Sequence, residues 1–217
     1  MPDFAARRTM MVDAQIRPSD VTKFPIIEAM LAVPREIFVP AEKKEAAYLG
    51  ENVDLGGDRV LLEPRTLAKA LDALDIQPDE LVLDIGAGTG YSAAVMSRLA
   101  EAVIAIEEDE SLLADAQGPL SDIGADNVVL EKGVLTEGAP QHGPYDVILI
   151  EGAVEDLPDG ITEQLKNGGR IAVLFVEGRL GTVRIGYCID GQINWRFAFN
   201  AGAPVLPGFE KQQAFAL

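Results

Sequence analysis

LVLDIGAGTGYSAAVMS, residues 81–97, is the stretch of this sequence that decides the fold. A short apolar run, Leu81–Ile85, leads into three glycines, and the residues that follow have a helical composition. A short apolar run that ends in a glycine turn is typical of a buried parallel strand. Strand, turn and helix in this order predict the first unit of an open α/β sheet, with a ligand bound at the turn.

Alternating strand and helix signals continue after this stretch. Further strands are predicted at 102–107, 127–133, 145–153 and 170–176, and helices at 91–100, 110–123 and 161–166. Residues 182–190 and 192–199 flank an Asp190-Gly191 turn and predict a hairpin. Strands that alternate with helices predict a mostly parallel sheet covered on both faces, here with a C-terminal antiparallel hairpin.

The first 63 residues have a different character, with helical segments separated by prolines. Helices are predicted at 3–15, from a cap at Ser19 or Asp20 to about Leu31, at 41–49, and from Pro64 to Leu74. Residues 51–64 are expected to be irregular, with Gly56-Gly57 as a hinge. We therefore divide the chain into an N-terminal helical cap with a loop, residues 1–63, and a ligand-binding domain, residues 64–217.

Composition excludes several classes of function. The formal charge of −17 repels phosphate backbones and anionic lipids, so neither nucleic acid nor a membrane is an expected partner. One cysteine, Cys188, and one histidine, His142, exclude the usual zinc ligand sets, and no metal is expected. The sequence contains no apolar segment of signal-peptide or membrane-spanning length, which predicts a cytoplasmic protein.

The spacing of the glycines narrows the choice of ligand. Gly86, Gly88 and Gly90 form G-x-G-x-G, whereas a dinucleotide turn has G-x-G-x-x-G, whose last glycine position is Tyr91 here. No lysine adjoins the turn, which disfavours a triphosphate. Glu107 ends the next strand about 20 positions after the glycines. An acidic side chain at that distance can accept hydrogen bonds from the ribose hydroxyls of a nucleoside.

A nucleoside without phosphates, and preferably a cation, suits this pattern, and S-adenosylmethionine is such a molecule. Asp84 either anchors the turn or faces the methionine amino group, and Tyr91 either covers the cofactor or packs in the core. We predict a cofactor site formed by Asp84, Gly86, Ala87, Gly88, Gly90, Tyr91, Glu107 and Gly133.

These motifs resemble those of the class I methyltransferases, and within them the protein-L-isoaspartate O-methyltransferases. Besides the glycine stretch, VPREIFVP (33–40), AAYL (46–49), YDVILIEGA (145–153) and LPDGITEQLKNGGRIAV (157–173) carry the resemblance. It implies a Rossmann-like, seven-stranded, mostly parallel sheet with an N-terminal helical cap. It also implies transfer of a methyl group from S-adenosyl-L-methionine to the carboxylate of L-isoaspartyl or D-aspartyl residues in damaged proteins.

Two segments depart from the family pattern. The family's substrate loop reads like GQTISQP, whereas residues 58–64 read DRVLLEP, so Val60 and Leu62 replace two hydroxyl side chains. The family's GDG after the third strand is Gly133-Val134-Leu135 here, which removes the aspartate that lies close to the adenine. Adenine must therefore be held in another way.

Arg59 and Glu151 are further candidates for a functional role. We predict Arg59 as the catalytic-site residue that grips an acidic substrate group in place of the lost hydroxyls. Alternatively, Arg59 pairs with Asp58, Glu63 or another carboxylate, or lies in solvent. Glu151 stands where the family has a small polar residue, and it either lines the pocket or caps the region that follows.

Three other functions remain open at this point. The same cofactor could serve a small-molecule or different protein acceptor, which the loss of the loop hydroxyls favours. The chain could also bind the cofactor without catalysis. A nicotinamide oxidoreductase is disfavoured by the glycine spacing.

Overall fold

The computed structural model describes residues 3–211, and its first helix is α1 (Phe4–Met11). Asp3 caps this helix, because its carboxylate accepts a hydrogen bond from the N–H of Ala6 at 3.0 Å. The helix continues as a π-helical segment, Val12–Ile16. The predicted helix over residues 3–15 is therefore present with a wider final turn.

The second helix, α2 (Phe24–Ala32), starts later than predicted. The expected cap at Ser19 or Asp20 is wrong: Ser19 ends a 3-10 turn and donates to the carbonyl of Gln15 at 2.7 Å. Asp20 has a left-handed backbone, with φ of +66°, which turns the chain before α2 begins. The α-helix predicted at 41–49 is instead a 3-10 segment, Ala41–Ala46.

A β-hairpin follows where an irregular loop is predicted. Strands β1 (Val53–Gly56) and β2 (Arg59–Leu61) pair antiparallel, with Val53 opposite Leu61. The turn between them has positive φ at Gly56, Gly57 and Asp58, of 90°, 57° and 58°. Strands of four and three residues are too short to show an alternating apolar pattern, which is why sequence periodicity missed them.

Helix α3 (Pro64–Leu74) begins at Pro64 as predicted, and the main sheet begins after it. Its strands are β3 (Leu81–Ile85), β4 (Ala102–Glu107), β5 (Val128–Lys132), β6 (Tyr145–Val154), β7 (Leu165–Glu177), β8 (Leu180–Ile189) and β9 (Gln192–Asn200). Within residues 3–211 these seven strands form one sheet in the order β5-β4-β3-β6-β7-β8-β9. Strands β3 to β7 run parallel, and β8 and β9 are antiparallel, which confirms the predicted fold class.

The connecting helices are α4 (Tyr91–Met96), α5 (Glu110–Asp122) and α6 (Asp159–Thr162). Helix α4 is shorter than the predicted 91–100. The helix predicted at 161–166 is wrong from residue 163 on, because α6 ends at Thr162 and Leu165 already pairs with Tyr145 in the sheet. The closing hairpin forms as predicted, with φ of +50° at Asp190 and +76° at Gly191, the signs of a type I′ turn.

The strand order places a topological switch point between β3 and β6. From β3 the chain builds β4 and β5 on one side, and it then returns to build β6 and β7 on the other. In such a sheet the crevice outside the carboxyl ends of the two central strands is where ligands bind. The glycine turn leaves β3 at this crevice.

Two other segments close over the sheet. Buried cap side chains such as Met30 and Phe38 join the apolar core that covers one face. At the carboxyl end of β6, Ala153 donates to the carbonyl of Pro204 at 2.8 Å and accepts from the N–H of Leu206 at 3.0 Å. The predicted second domain, residues 64–217, ends with six residues that lie outside the described part.

None of the helices within residues 3–211 combines the length and the apolar character that crossing a bilayer requires.

Candidate active site

The glycine turn adopts a backbone that other residues rarely take. Gly86, Gly88 and Gly90 have φ of +77°, +54° and +87°. The N–H groups of Gly86 and Ala87 donate to the carbonyl of Ile106 at 3.0 and 3.1 Å, which ties the turn to β4. Glycine at these three positions is therefore required by backbone geometry as well as by close approach of a neighbour.

Apolar side chains from distant segments lie against the turn. A methyl group on Gly88 would lie 2.9 Å from the Cδ1 of Leu55 in the β1–β2 hairpin. One on Gly86 would lie 3.2 Å from the Cδ1 of Leu206. The outer faces of the turn are thus covered by side chains of this chain.

Glu107 ends β4 fully buried beside the turn. Its carboxylate accepts main-chain N–H bonds from Gly88 at 3.0 Å, Glu108 at 2.8 Å and Asp109 at 3.1 Å. These bonds fix the carboxylate at the edge of the sheet where the sequence predicts a ribose.

Arg59 is bound to the same carboxylate. Its Nε lies 3.1 Å from both oxygens of Glu107, and its Nη2 lies 3.0 Å from Oε1. Arg59 is 4% exposed, so this is a buried, forked ion pair. In the structure Arg59 pairs with a carboxylate, which was the alternative interpretation. The partner is Glu107 rather than Asp58 or Glu63. Its predicted role in gripping substrate remains a prediction.

Asp84 is the next-to-last residue of β3, and Glu151 lies three residues before the end of the neighbouring strand β6; both are buried. The hydroxyl of Ser92 donates to Asp84 Oδ2 at 2.6 Å. Asp84 Oδ1 and Glu151 Oε1 have no hydrogen-bond partner among the described residues. Two buried carboxyl oxygens without donors at a ligand crevice are complementary to a cationic ligand.

Burial controls the protonation of these two groups. It raises the pKa of Asp84 to about 7, with Ser92 opposing the shift and the charge of Glu107 adding to it. Burial, and then the charge of Asp84, raise the pKa of Glu151 well above its ordinary value, while Arg35 opposes the shift.

Arg35, in the segment VPREIFVP, is a buried residue that sequence reasoning missed. It donates to the carbonyls of Ala47 and Leu62, both at 2.6 Å, and its guanidinium lies 4.8 Å from the ring centroid of Tyr91. Thr89 of the turn also donates to the carbonyl of Phe38 at 2.5 Å. The cap is thus attached to the glycine turn by polar contacts. An arginine inside an apolar run between two prolines was the available signal.

Tyr91 and Gly133 complete the predicted cofactor residues. Tyr91 is 1% exposed, with its ring between Arg35 and Phe38, so it packs against the cap. Gly133 follows β5 and donates to the carbonyl of Glu107 at 3.2 Å. The next residue, Val134, is 45% exposed. Asp84, the glycines, Glu107 and Gly133 therefore meet at one edge of the sheet.

The residues at this edge fit a cationic adenosyl nucleoside. The turn permits close approach, and the unpaired oxygens of Asp84 and Glu151 suit positive charge. Glu107 suits a ribose diol, provided that Arg59 gives up its place on that carboxylate. Val134 offers no carboxylate to the adenine.

Comparison with known proteins shows the family of this chain. The family model for protein-L-isoaspartate(D-aspartate) O-methyltransferase matches residues 6–181. A protein-L-isoaspartate O-methyltransferase of Roseiflexus castenholzii is 37% identical over 171 residues, which are 79% of this chain and 78% of the relative. One from Syntrophus aciditrophicus is 38% identical over 179 residues, which are 82% of each chain.

Solved structures share the architecture. A protein-L-isoaspartate O-methyltransferase superposes with a TM-score of 0.80 at 25% identity, over 93% of this chain and 66% of that one. A Plasmodium falciparum structure, titled as such a methyltransferase in complex with S-adenosyl-L-homocysteine, has a TM-score of 0.79 at 17% identity, over 95% and 99% of the two chains. The latter likeness shows the shared fold.

Proposed function

This chain belongs to the protein-L-isoaspartate(D-aspartate) O-methyltransferase family, and from that premise we propose that it methylates the free carboxylate of isoaspartyl residues in proteins. S-Adenosyl-L-methionine, when bound, supplies the methyl group from its sulfonium. The observation that carries the proposal is the switch-point crevice, where the glycine turn and Glu107 lie near two carboxyl oxygens, Asp84 Oδ1 and Glu151 Oε1, that have no partner among the described residues.

Methyl transfer to a carboxylate acceptor needs no general base from the protein. A carboxylate is ionised at pH 7, since its ordinary pKa is about 4, so it attacks without losing a proton. The enzyme must then align the acceptor and exclude water, and proximity supplies much of the rate. The fully buried Asp84 and Leu206 and the partly buried Leu55 lie around the glycine turn, which suits that task.

We assign binding roles to the chain's own residues as part of this proposal. The carboxylate of Glu107 accepts hydrogen bonds from the ribose hydroxyls, and Gly86, Ala87 and Gly88 allow close approach of the nucleoside. Asp84 and Glu151 face the positive end of the cofactor. Adenine is held by main-chain groups near Gly133, because Val134 has no polar side chain.

Recognition of the acceptor is where this chain departs most from the family pattern. Val60 and Leu62 cannot donate hydrogen bonds, and Leu62 is only 4% exposed. Arg59 is adjacent; Glu107 holds its Nε and Nη2, while its buried Nη1 has no partner among the described residues. Isoaspartyl-containing proteins are the proposed partners, with no role for nucleic acid, membranes or metal, and the cytoplasm is the proposed location.

A second acceptor class is favoured by one observation. Glu151 is buried, its Oε1 has no hydrogen-bond partner among the described residues, and it stands at a position where the family has a small residue. A carboxyl with a raised pKa is suited to take a proton from a hydroxyl or amine acceptor. The same cofactor would then serve a different acceptor.

The experiment that tests the function uses labelled S-adenosyl-L-methionine with an isoaspartyl peptide and its normal aspartyl counterpart. Label transfer to the isoaspartyl peptide alone is the expected result. Cofactor binding by calorimetry without transfer to either peptide would contradict the proposed acceptor, and a panel of hydroxyl and amine acceptors would then test the second class.

A further inference from the structure

The starting observation is that one hairpin covers both features expected to hold the nucleoside. Arg59 opens β2 opposite Gly56, and its guanidinium makes three contacts of 3.0–3.1 Å to Glu107. Leu55 of β1 makes an apolar contact instead: its Cδ1 lies where a methyl group on Gly88 would clash. The β1–β2 hairpin thus lies on the ribose carboxylate and on the glycine turn together.

The carboxylate of Glu107 has no spare capacity. It accepts three main-chain N–H bonds and three contacts from Arg59, whereas a carboxylate offers about four lone-pair sites. The main-chain donors belong to Gly88 and to the two residues after Glu107, which cannot leave without unfolding the turn. Arg59 is therefore the donor that a ribose diol has to replace.

The β1–β2 hairpin is a separate element from the main sheet. Within residues 3–211, β1 and β2 form a sheet of two strands with each other and are not part of the seven-stranded sheet. The exposed pair Lys43–Asp54, at 2.8 Å, and the bond from Asn52 to the carbonyl of Gly202, at 2.7 Å, hold its first strand. Such partly exposed contacts contribute little stability, and the stronger anchors of the hairpin are Arg59 and the buried side chains of Val53 and Leu61, which its release would uncover.

We propose that Arg59 is an internal competitor for the ribose subsite: it holds Glu107 until an adenosyl nucleoside with free ribose hydroxyls displaces it together with the β1–β2 hairpin. The inference rests on the proposed function, because it takes Glu107 as the ribose-binding residue. It makes Arg59 a determinant of cofactor affinity, since every binding event has to break the buried ion pair.

Calorimetric titration of S-adenosyl-L-homocysteine into wild type, R59A and R59K tests the competition. R59A is expected to bind at least about ten-fold more tightly than wild type, because binding no longer has to displace a guanidinium. R59K should fall between them, since lysine lacks the two-point fork of arginine. R65A, which alters a half-exposed arginine on α3, is the matched control and should bind as wild type does.

Amide hydrogen exchange of residues 53–61 gives a second reading on the unaltered chain. Exchange in this segment is expected to become faster when wild type is saturated with S-adenosyl-L-homocysteine, because Arg59 no longer holds the hairpin down. This measurement decides the matter even if R59A does not fold.

The outcomes separate this inference from the proposed function. Unchanged or weaker binding by a folded R59A, or hairpin exchange that is unchanged or slower with ligand, would overturn the competition and leave the methyltransferase assignment intact. Failure of folded wild type and R59A to bind both S-adenosyl-L-methionine and S-adenosyl-L-homocysteine would overturn both.

Discussion

At the scale of single residues, the site is a balance of five buried charged groups. Arg59 neutralises Glu107 through a forked contact, while Arg35 acts on Glu151 only at longer range. Asp84 receives one hydroxyl bond and no cation. An arrangement of this kind is held at a cost to the fold, which is typical of sites that bind charge.

That cost predicts a pH dependence of stability. The folded pKa of Asp84 is about 7, above its unfolded value of about 3.9, so the folded state binds more protons between these two pH values. The free energy of unfolding should therefore fall as pH rises from about 4 to about 7. Urea unfolding across this range should show a flatter profile for Asp84→Asn than for wild type.

The matched control is Asp126→Asn, at an exposed position. If Asp84→Asn and Asp126→Asn have the same pH profile as wild type, burial of Asp84 is not what sets the slope.

The ion pair predicts a non-additive effect of substitution. Glu107→Gln keeps an oxygen for the main-chain donors but leaves Arg59 buried without a counter-charge, which should cost about 3–5 kcal/mol of unfolding free energy. Adding Arg59→Met removes the unpaired cation, so the double variant should be more stable than Glu107→Gln alone. Chemical denaturation of the wild type, both single variants and the double variant measures this coupling, and additive losses would argue against it.

Sequence reasoning could reach these residues only one at a time. Glu107 and the glycines follow a known spacing, and so their place at one edge was predictable. Arg59 lies 48 positions before Glu107, and nothing local indicates that the two meet. The partner of a long, flexible cation among 35 acidic residues is decided by tertiary structure.

At the scale of elements, the central parallel strands β3, β4 and β6 were predictable because they are buried on both faces and read as continuous apolar runs. The β1–β2 hairpin was not, since its turn depends on positive φ at three successive residues, 56–58, rather than on an apolar pattern. The end of α6 was misplaced because pairing with β6 outweighs local helix propensity at Leu165.

The segment after β9 supplies a prediction about packing. Leu206 is fully buried, and its side chain lies against Gly86 and Gly152, where added methyl groups would come within 3.2 and 2.5 Å. Leu206→Ala should therefore lower the free energy of unfolding by about 2–5 kcal/mol through lost burial and a cavity. Thermal and urea unfolding measure the loss.

Leu180→Ala is the control for that change, because Leu180 is 59% exposed and its truncation should alter stability by no more than about 0.5 kcal/mol. Equal effects of the two substitutions would show that Leu206 is not a packing residue of the core.

At the scale of the whole molecule, the net charge of −17 gives the protein a negative field that attracts cationic partners. If isoaspartyl peptides are its substrates, those flanked by lysines should have a lower KM than those flanked by glutamates. Steady-state kinetics at two ionic strengths would measure the difference, which should shrink as salt screens the charges. A difference of the same size at both ionic strengths would point to local contacts instead.

The position of Leu206 also has a consequence for how the molecule is made. This side chain packs on Gly86, which precedes it by 120 residues, and β3 pairs with β6 between residues 65 positions apart, such as Val82 and Val147. Contacts between such distant parts of a chain form late, after local hairpins such as β8–β9. During synthesis the side of the glycine turn that faces Leu206 therefore stays uncovered until the stretch bearing that residue emerges, whereas Leu55, which faces Gly88, is made earlier. In that interval the apolar surface around Gly86 is open to chaperones.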